Sequence, residues 1–552
     1  MLPYLLVVCA VDHEAKAASI KTRGSSFELF ASRILAEDQP HLAEMISFNA
    51  IVVLVIFLIY WIRSAKRKDL PPGPTPLPLL GNAHQLFWGY LRGKSHVDVF
   101  IEWKKIYGNV YTMYIGPYHC VIIADYKTTM ETFLKNAEDH AGRVDIFMFT
   151  GFRNNLGITF SKGPGWLEQR RFSLRTLRDF GFGRNIMQIR ILEEFHYRTQ
   201  KIDQLIDDNL GKPILMAPRL FMDLLISSII NRILVGYRYD ESHWNEFKTI
   251  KYGLDREFDA LTIWDLGWLT KESHNLPGFR QRWKITADHQ RVMLEHFTET
   301  IKKRREEIAS GHHHMDYEHG GDDYVDAYLI MLEKKKEKNE FLGWFSDENL
   351  AANLLDLWMA GTETTIETLL WFMIFTLNNA PVQEKLREES FAITKGNRDI
   401  ELADRPSMPY TNAVVTEVLR CANILNFNLI HETTCKTVVG DYIIPEKVNV
   451  ASQLSIYLND EEDYPNPGKF DPDRYIRDKE LTKKVIAFGV GKRSCVGESL
   501  ARAELFLIIA NFVQKYKFSP PDNCCPPTTD ELSTLLFLRR TRNFEMKVEK
   551  VH

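Results

Sequence analysis

Phe488-Gly489-Val490-Gly491-Lys492-Arg493-Ser494-Cys495-Val496-Gly497 is the stretch on which the reading of this 552-residue chain turns. Its glycines let a loop fold tightly beneath something flat and turn backbone N–H groups toward one sulfur. Hydrogen bonds to that sulfur stabilise a thiolate, the form of cysteine that ligates metal. Residues 500–513 read as an apolar helix, so Cys495 lies just before a helix N-terminus whose positive dipole end also favours the anion. Each feature directs Cys495 toward an axial haem position. The alternative is a lone buried cysteine, but Phe, Gly, Arg, Cys and Gly at this spacing occur by chance on the order of once in ten thousand such chains.

The rest of the sequence is compatible with a large enzyme. Hydrophobic residues make up 45% and charged residues 26%, which excludes a collagen, a disordered tail protein or a disulfide miniprotein. Lys and Arg number 69 against 73 Asp and Glu, a net charge of -4 that gives no sign of a nucleic-acid binder. Seven cysteines, an odd number, argue against a secreted disulfide framework and leave a thiol free for chemistry.

Only residues 46–62, ISFNAIVVLVIFLIYWI, approach bilayer length without a charge. Tyr60 and Trp61 make an interfacial end, and Arg63, Lys66, Arg67 and Lys68 follow, so the positive-inside rule puts the C-terminal side in the cytosol. We expect a single-pass signal-anchor over 45–63; a buried core helix is the competing reading. Residues 1–44 read as an upstream extension of doubtful order or a luminal tail, because 2–10 is a short apolar run without a basic n-region. A basic and proline-rich hinge spans 64–82, with Leu70-Pro71-Pro72-Gly73-Pro74-Thr75-Pro76 forming a stiff spacer. One body over 83–552 follows.

Helical periodicity dominates that body, as at 187–210, 290–310 and 349–379, with short β-rich runs at 110–115, 119–124 and 436–444. The expected fold class is mostly α with small β-sheets. The loop at 311–323 holds His312, His313, His314 and His319 without fixed metal-ligand spacing and reads as a solvated surface loop. A long helix capped by Ser346 and ending before Pro381 contains Ala360-Gly361-Thr362-Glu363-Thr364-Thr365. Mid-helix Gly and consecutive Thr are unfavourable there. They imply either a local opening for a ligand, with Thr364 and Glu363 handling protons, or close packing on a neighbour. Glu417 and Arg420 share a helix face, and Trp166 and Arg170 set a donor and a cation one turn apart.

In this order the motifs resemble those of the cytochrome P-450 superfamily, from the proline hinge to the C-terminus. Every fixed position of its F-x-x-G-x-R-x-C-x-G loop is present, beside its A-G-x-[DE]-T-[TS], E-x-x-R and W-x-x-x-R motifs. Asp473 and Tyr475 depart from the usual Glu and Phe around Arg474, the expected third member of a scaffold triad with Glu417 and Arg420. The segment at 166–183 resembles the animal microsomal branch that oxidises xenobiotics, fatty acids and steroids. The resemblance implies haem b bound by Trp166, Arg170, His431, Phe488 and Arg493, with Cys495 on the iron and Glu363 and Thr364 as the proton-handling pair. It also implies O2, electrons from NADPH-cytochrome P-450 reductase or cytochrome b5, and the endoplasmic reticulum membrane with the body cytosolic.

Two rivals remain: a peroxide isomerase or dehydratase on the same fold, and a non-catalytic haem-binding protein. The stripe Arg171, Arg175 and Arg178 is either a solvated helix face or a dock for an acidic electron donor. The pocket is expected from 146–158, 258–269, 357–363, 424–430 and 533–536, with Phe147, Phe149 and Phe427 among its walls, hence an apolar substrate.

Overall fold

Helices carry most of the chain in the computed structural model, which describes residues 51–57, 59, 69–77, 80–116, 118–181, 185–262, 265, 268–529 and 538–551. Residues 67–552 form one compact unit. Most of the candidate anchor at 46–62 and the pocket segment at 533–536 lie outside the described residues. Among the described residues no helix is long and apolar enough to cross a membrane.

Six helices position the site: α1 (Pro164–Asp179), α2 (Pro218–Val235), α3 (Phe279–Ala309), α4 (Asp347–Leu377), α5 (Pro409–Ala422) and α6 (Glu498–Lys515). Helix α4 starts where the sequence places it, because the Ser346 side chain accepts from the Asn349 N–H. Its 31 residues are apolar almost all round, so it must be buried, and α2, α3, α5 and α6 pack against it. Trp358, Leu369, Leu370 and Phe372 join Phe506 and Leu507 of α6 in the main core.

The strands are short. β1 (Val110–Ile115), β2 (Tyr118–Ile123), β3 (Gly142–Arg143), β5 (His431–Glu432) and β8 (Asn449–Ser452) form one sheet in the order β1-β2-β8-β5-β3. A three-stranded sheet holds β4 (Ile214–Met216), β10 (Met546–Lys550) and β9 (Tyr516–Ser519). The run at 436–444 is a hairpin, β6 (Thr437–Val439) and β7 (Tyr442–Ile444), turning at Gly440.

Of the two readings of residues 360–365, local opening and close packing, the structure supports the second. Helix α4 does not open at Gly361 but runs through as regular α-helix. The glycine serves packing instead: a Cβ there would stand 2.9 Å from Ile230 Cδ1 of α2, closer than side chains tolerate. In the 311–323 loop, His313 turns inward to Asp326 at 3.0 Å, and the described residues contain no cluster able to hold a metal ion.

The expected scaffold triad is assembled in the core. Arg420 donates to both oxygens of Glu417 at 2.8 and 2.9 Å, Arg474 adds a bond at 3.1 Å, and the Tyr475 hydroxyl donates at 2.9 Å. All are buried, so each charge depends on the others. Tyr475 therefore compensates for departing from the motif by adding a donor. Asp473 points outward to Lys385. Arg420→Met strands a buried carboxylate and is expected to cost about 3–5 kcal/mol in denaturant unfolding. A loss below about 1 kcal/mol would make the triad a surface-like ion pair.

Candidate active site

Cys495 sits in a tight loop because its neighbours allow it. Gly491 has φ 80°, and a Cβ there would run into the Phe133 carbonyl oxygen. The Cys495 N–H donates to Phe488 O at 2.9 Å, closing the loop just before α6. Its sulfur is open to a cavity yet enclosed by the chain. Burial pushes the thiol up, while the Gly497 N–H, Arg170 and Arg502 favour its anion. A metal cation would complete that balance.

The same cavity gathers residues from distant parts of the chain: Trp166 and Arg170 from α1, His431 from β5, Thr364 from α4, and Phe488, Arg493 and Cys495. Of the eight candidate catalytic and haem-binding residues, only Glu363 is not among them. Arg143 was missed. Strand β3 pairs Arg143 with His431 across the sheet, so Arg143 enters the cavity through a long-range pairing that no local pattern encodes.

Arg143, Arg170 and Arg493 crowd here, and among the described residues none has a carboxylate partner. Burial and mutual repulsion disfavour the charge on Arg493, yet a guanidinium keeps its proton. Among the described residues both terminal nitrogens of Arg493 lack partners, as does the indole N–H of Trp166, over which Arg493 lies at 3.5 Å. Arg170 donates to Ser494 O at 2.6 Å and Arg143 to Leu429 O at 2.6 Å, which holds both in place. Burial, then Arg143, keeps His431 neutral, its Nδ1 2.7 Å from His140 O. Unpaired buried donors and cations around one space call for a ligand with more than one negative charge.

Glu363 is not brought to this cavity. Its carboxylate points across α4 to Lys251 at 3.0 Å and Arg540 at 2.9 Å. Burial alone would raise its pKa, but Lys251 and Arg540 outweigh it and hold the group at about 2. Glu363 and Thr364 therefore face different surroundings in this structure. Thr364 does face the cavity, its hydroxyl donating to Ala360 O at 2.8 Å. The apolar walls are Ile158, Leu357, Ile424, Leu425 and Leu429. The expected aromatic walls are corrected as well: Phe147 stacks on Trp283, Phe149 on Phe160, and Phe427 packs on Phe100.

A flat dianion carrying a thiolate-binding metal fits these residues, and haem is such a group. The arrangement defines a haem-thiolate protein. The family described as Cytochrome P450 matches residues 71–548. The probable cytochrome P450 cyp-35D1 of Caenorhabditis elegans is 35% identical over 483 residues, covering 86% of this chain and 92% of the relative. Cytochrome P450 2C8 of Homo sapiens is 31% identical over 481 residues, 86% and 94% of the two chains. Cytochrome P450 2E1 of Oryctolagus cuniculus is 30% identical over 472 residues, 85% and 91%. The chain belongs to the cytochrome P450 family of haem monooxygenases.

The unpaired guanidiniums predict that Arg143→Gln and Arg493→Gln each weaken haem retention. Losing one charge-assisted bond, about 1.5–3 kcal/mol, should speed transfer of haem to apomyoglobin roughly ten- to hundredfold. Unchanged transfer from both variants would leave the charge cluster without that role.

Proposed function

We propose that this enzyme inserts one atom of O2 into a small apolar organic substrate, taking electrons from NADPH through cytochrome P-450 reductase, with cytochrome b5 as a second donor. The observation that carries this reading is the meeting of Cys495, the three unpaired guanidiniums and the Thr364 hydroxyl on one cavity. Haem b, when bound, supplies the redox iron at which O2 is reduced and split.

The chain's own residues do the rest. Cys495 would hold the iron as its thiolate, the form favoured by the Gly497 N–H and the start of α6. Arg143, Trp166, Arg170, His431 and Arg493 would hold the carboxylates of the bound haem, and Phe488 lines the cavity beside Cys495. Thr364 offers a hydroxyl that accepts and passes a proton at the cavity wall. Leu357, Ile424, Leu425 and Leu429 exclude water and receive apolar substrate. Arg171, Arg175 and Arg178 are exposed on α1 beside this machinery, which supports docking of an acidic electron donor.

In this reading residues 45–63 anchor the chain in the endoplasmic reticulum, 64–82 form the hinge, and the body at 83–552 faces the cytosol. The charge step after residue 62 supports that orientation. A chain started at Met45 should still sediment with microsomes, and a soluble product would show that residues 1–44 are needed.

Turnover of a metabolite library with added reductase is expected to give products heavier by one oxygen. Substrate conversion without NADPH or O2 would favour the isomerase. Thr364→Ala should keep haem and substrate but divert electrons to peroxide, lowering product per NADPH at least about tenfold. An unchanged ratio would make Thr364 a packing residue.

A further inference from the structure

A chain of buried polar groups runs behind one wall of the cavity, apart from the residues that would hold the haem. The loop at 151–160 supplies Ile158 and Thr159 to that wall. Their backbone N–H groups donate to Asp356 Oδ2 of α4 at 2.7 and 2.9 Å. Gly157 permits so close an approach, because its φ is 91° and a Cβ there would run into the same oxygen. Arg153, in the same loop, pairs with Asp356 Oδ1 and donates to Gln290 Oε1 of α3 at 2.8 Å. A guanidinium only donates, so this bond fixes the Gln290 amide, whose nitrogen donates to Glu257 Oε1 at 2.5 Å. Glu257 stands on the helix Gly253–Ala260. The cavity loop is thus tied to three helices through Arg153, Asp356, Gln290 and Glu257, all buried.

The far end of this chain is unfinished. Glu257 Oε2 has no hydrogen-bond partner among the described residues. Arg153 is the cation that acts on it, and Asp356 already balances Arg153. The other titratable groups around Glu257 are engaged elsewhere or exposed. His289 turns to Ile250 O, Lys251 and Asp255 pair with each other, Arg282 pairs with Asp265, and Arg256 and Asp259 are exposed. An ionised Glu257 therefore leaves a surplus negative charge in a site closed to water, whereas a protonated one leaves the chain neutral. Burial pushes the Glu257 carboxyl up to about 7, against the weaker pull of Gln290 and Arg153.

We propose that these four side chains form a proton-controlled strap on the cavity: a protonated Glu257 holds the loop at 153–159 against α4, and an ionised Glu257 lets the loop loosen and ligands exchange faster. This concerns entry to the cavity and goes beyond the reaction inside it. The sign follows from burial. With the loop open and Glu257 in water, the carboxyl titrates near its ordinary 4.5, and with the loop closed near 7. Opening then releases a proton, so it becomes easier as pH rises from the first value to the second and levels off above.

Amide hydrogen exchange on the full-length holoenzyme tests this, read in peptides that contain the Ile158 and Thr159 N–H groups. Glu257→Gln keeps the shape of the acid and cannot ionise. Dividing the wild-type exchange rate by that of Glu257→Gln at each pH removes the intrinsic effect of hydroxide. For these peptides the ratio should rise at least about fivefold between about pH 5.5 and 7.5, while for peptides of α5 and α6 it stays constant. Release of 4-phenylimidazole, followed by stopped flow at the Soret band, should accelerate with pH in the wild type more than in Glu257→Gln. Arg153→Gln, which cuts the chain nearer the loop, should speed exchange at both pH values. A ratio that stays flat with pH overturns the inference, as does an Arg153→Gln loop that exchanges as slowly as the wild type at about pH 5.5.

Discussion

Three guanidiniums without a carboxylate between them set the terms for this molecule. Burying a charge without a partner is costly, and two buried carboxylates elsewhere in the fold are each met by two cations. Glu417 is met by Arg420 and Arg474. Glu363 is met by Lys251 and Arg540. Arg143, Arg170 and Arg493 are left for something outside the chain. A ligand that neutralises them binds the folded state and not the unfolded one, so its affinity adds directly to stability.

Helix α4 keeps two electrostatic worlds apart. One side presents Thr364, Ala360 and Leu357 to the cavity. The other closes an ion network in which Lys251 also reaches Asp255 at 2.7 Å and Asp223 at 3.3 Å. Consecutive residues of one helix point in directions about 100° apart, so Glu363 and Thr364 can serve different surroundings. Gly361 lets α2 approach closely enough to fix the helix between them.

What could be read from the sequence follows from how local each feature is. The cysteine loop, the Ser346 cap and the Glu417–Arg420 spacing are written in adjacent residues, and each has the expected geometry. The cavity's other features depend on chain segments far apart in sequence. Arg143 reaches it only because β3 pairs with β5. The direction of Glu363 was illegible because its partners, Lys251 and Arg540, come from distant segments on either side of it in the sequence. The phenylalanines at 147, 149 and 427 carried no sign of which apolar face they would cover.

The central claim is that Cys495 binds iron as a thiolate in this cavity, and the ferrous carbon-monoxide complex reads that bond directly. The full-length protein should give the strongly red-shifted Soret band that thiolate ligation produces, and Cys495→Ser should lose it while Cys524 and Cys525 prove dispensable. Retention of that band in Cys495→Ser would contradict the account.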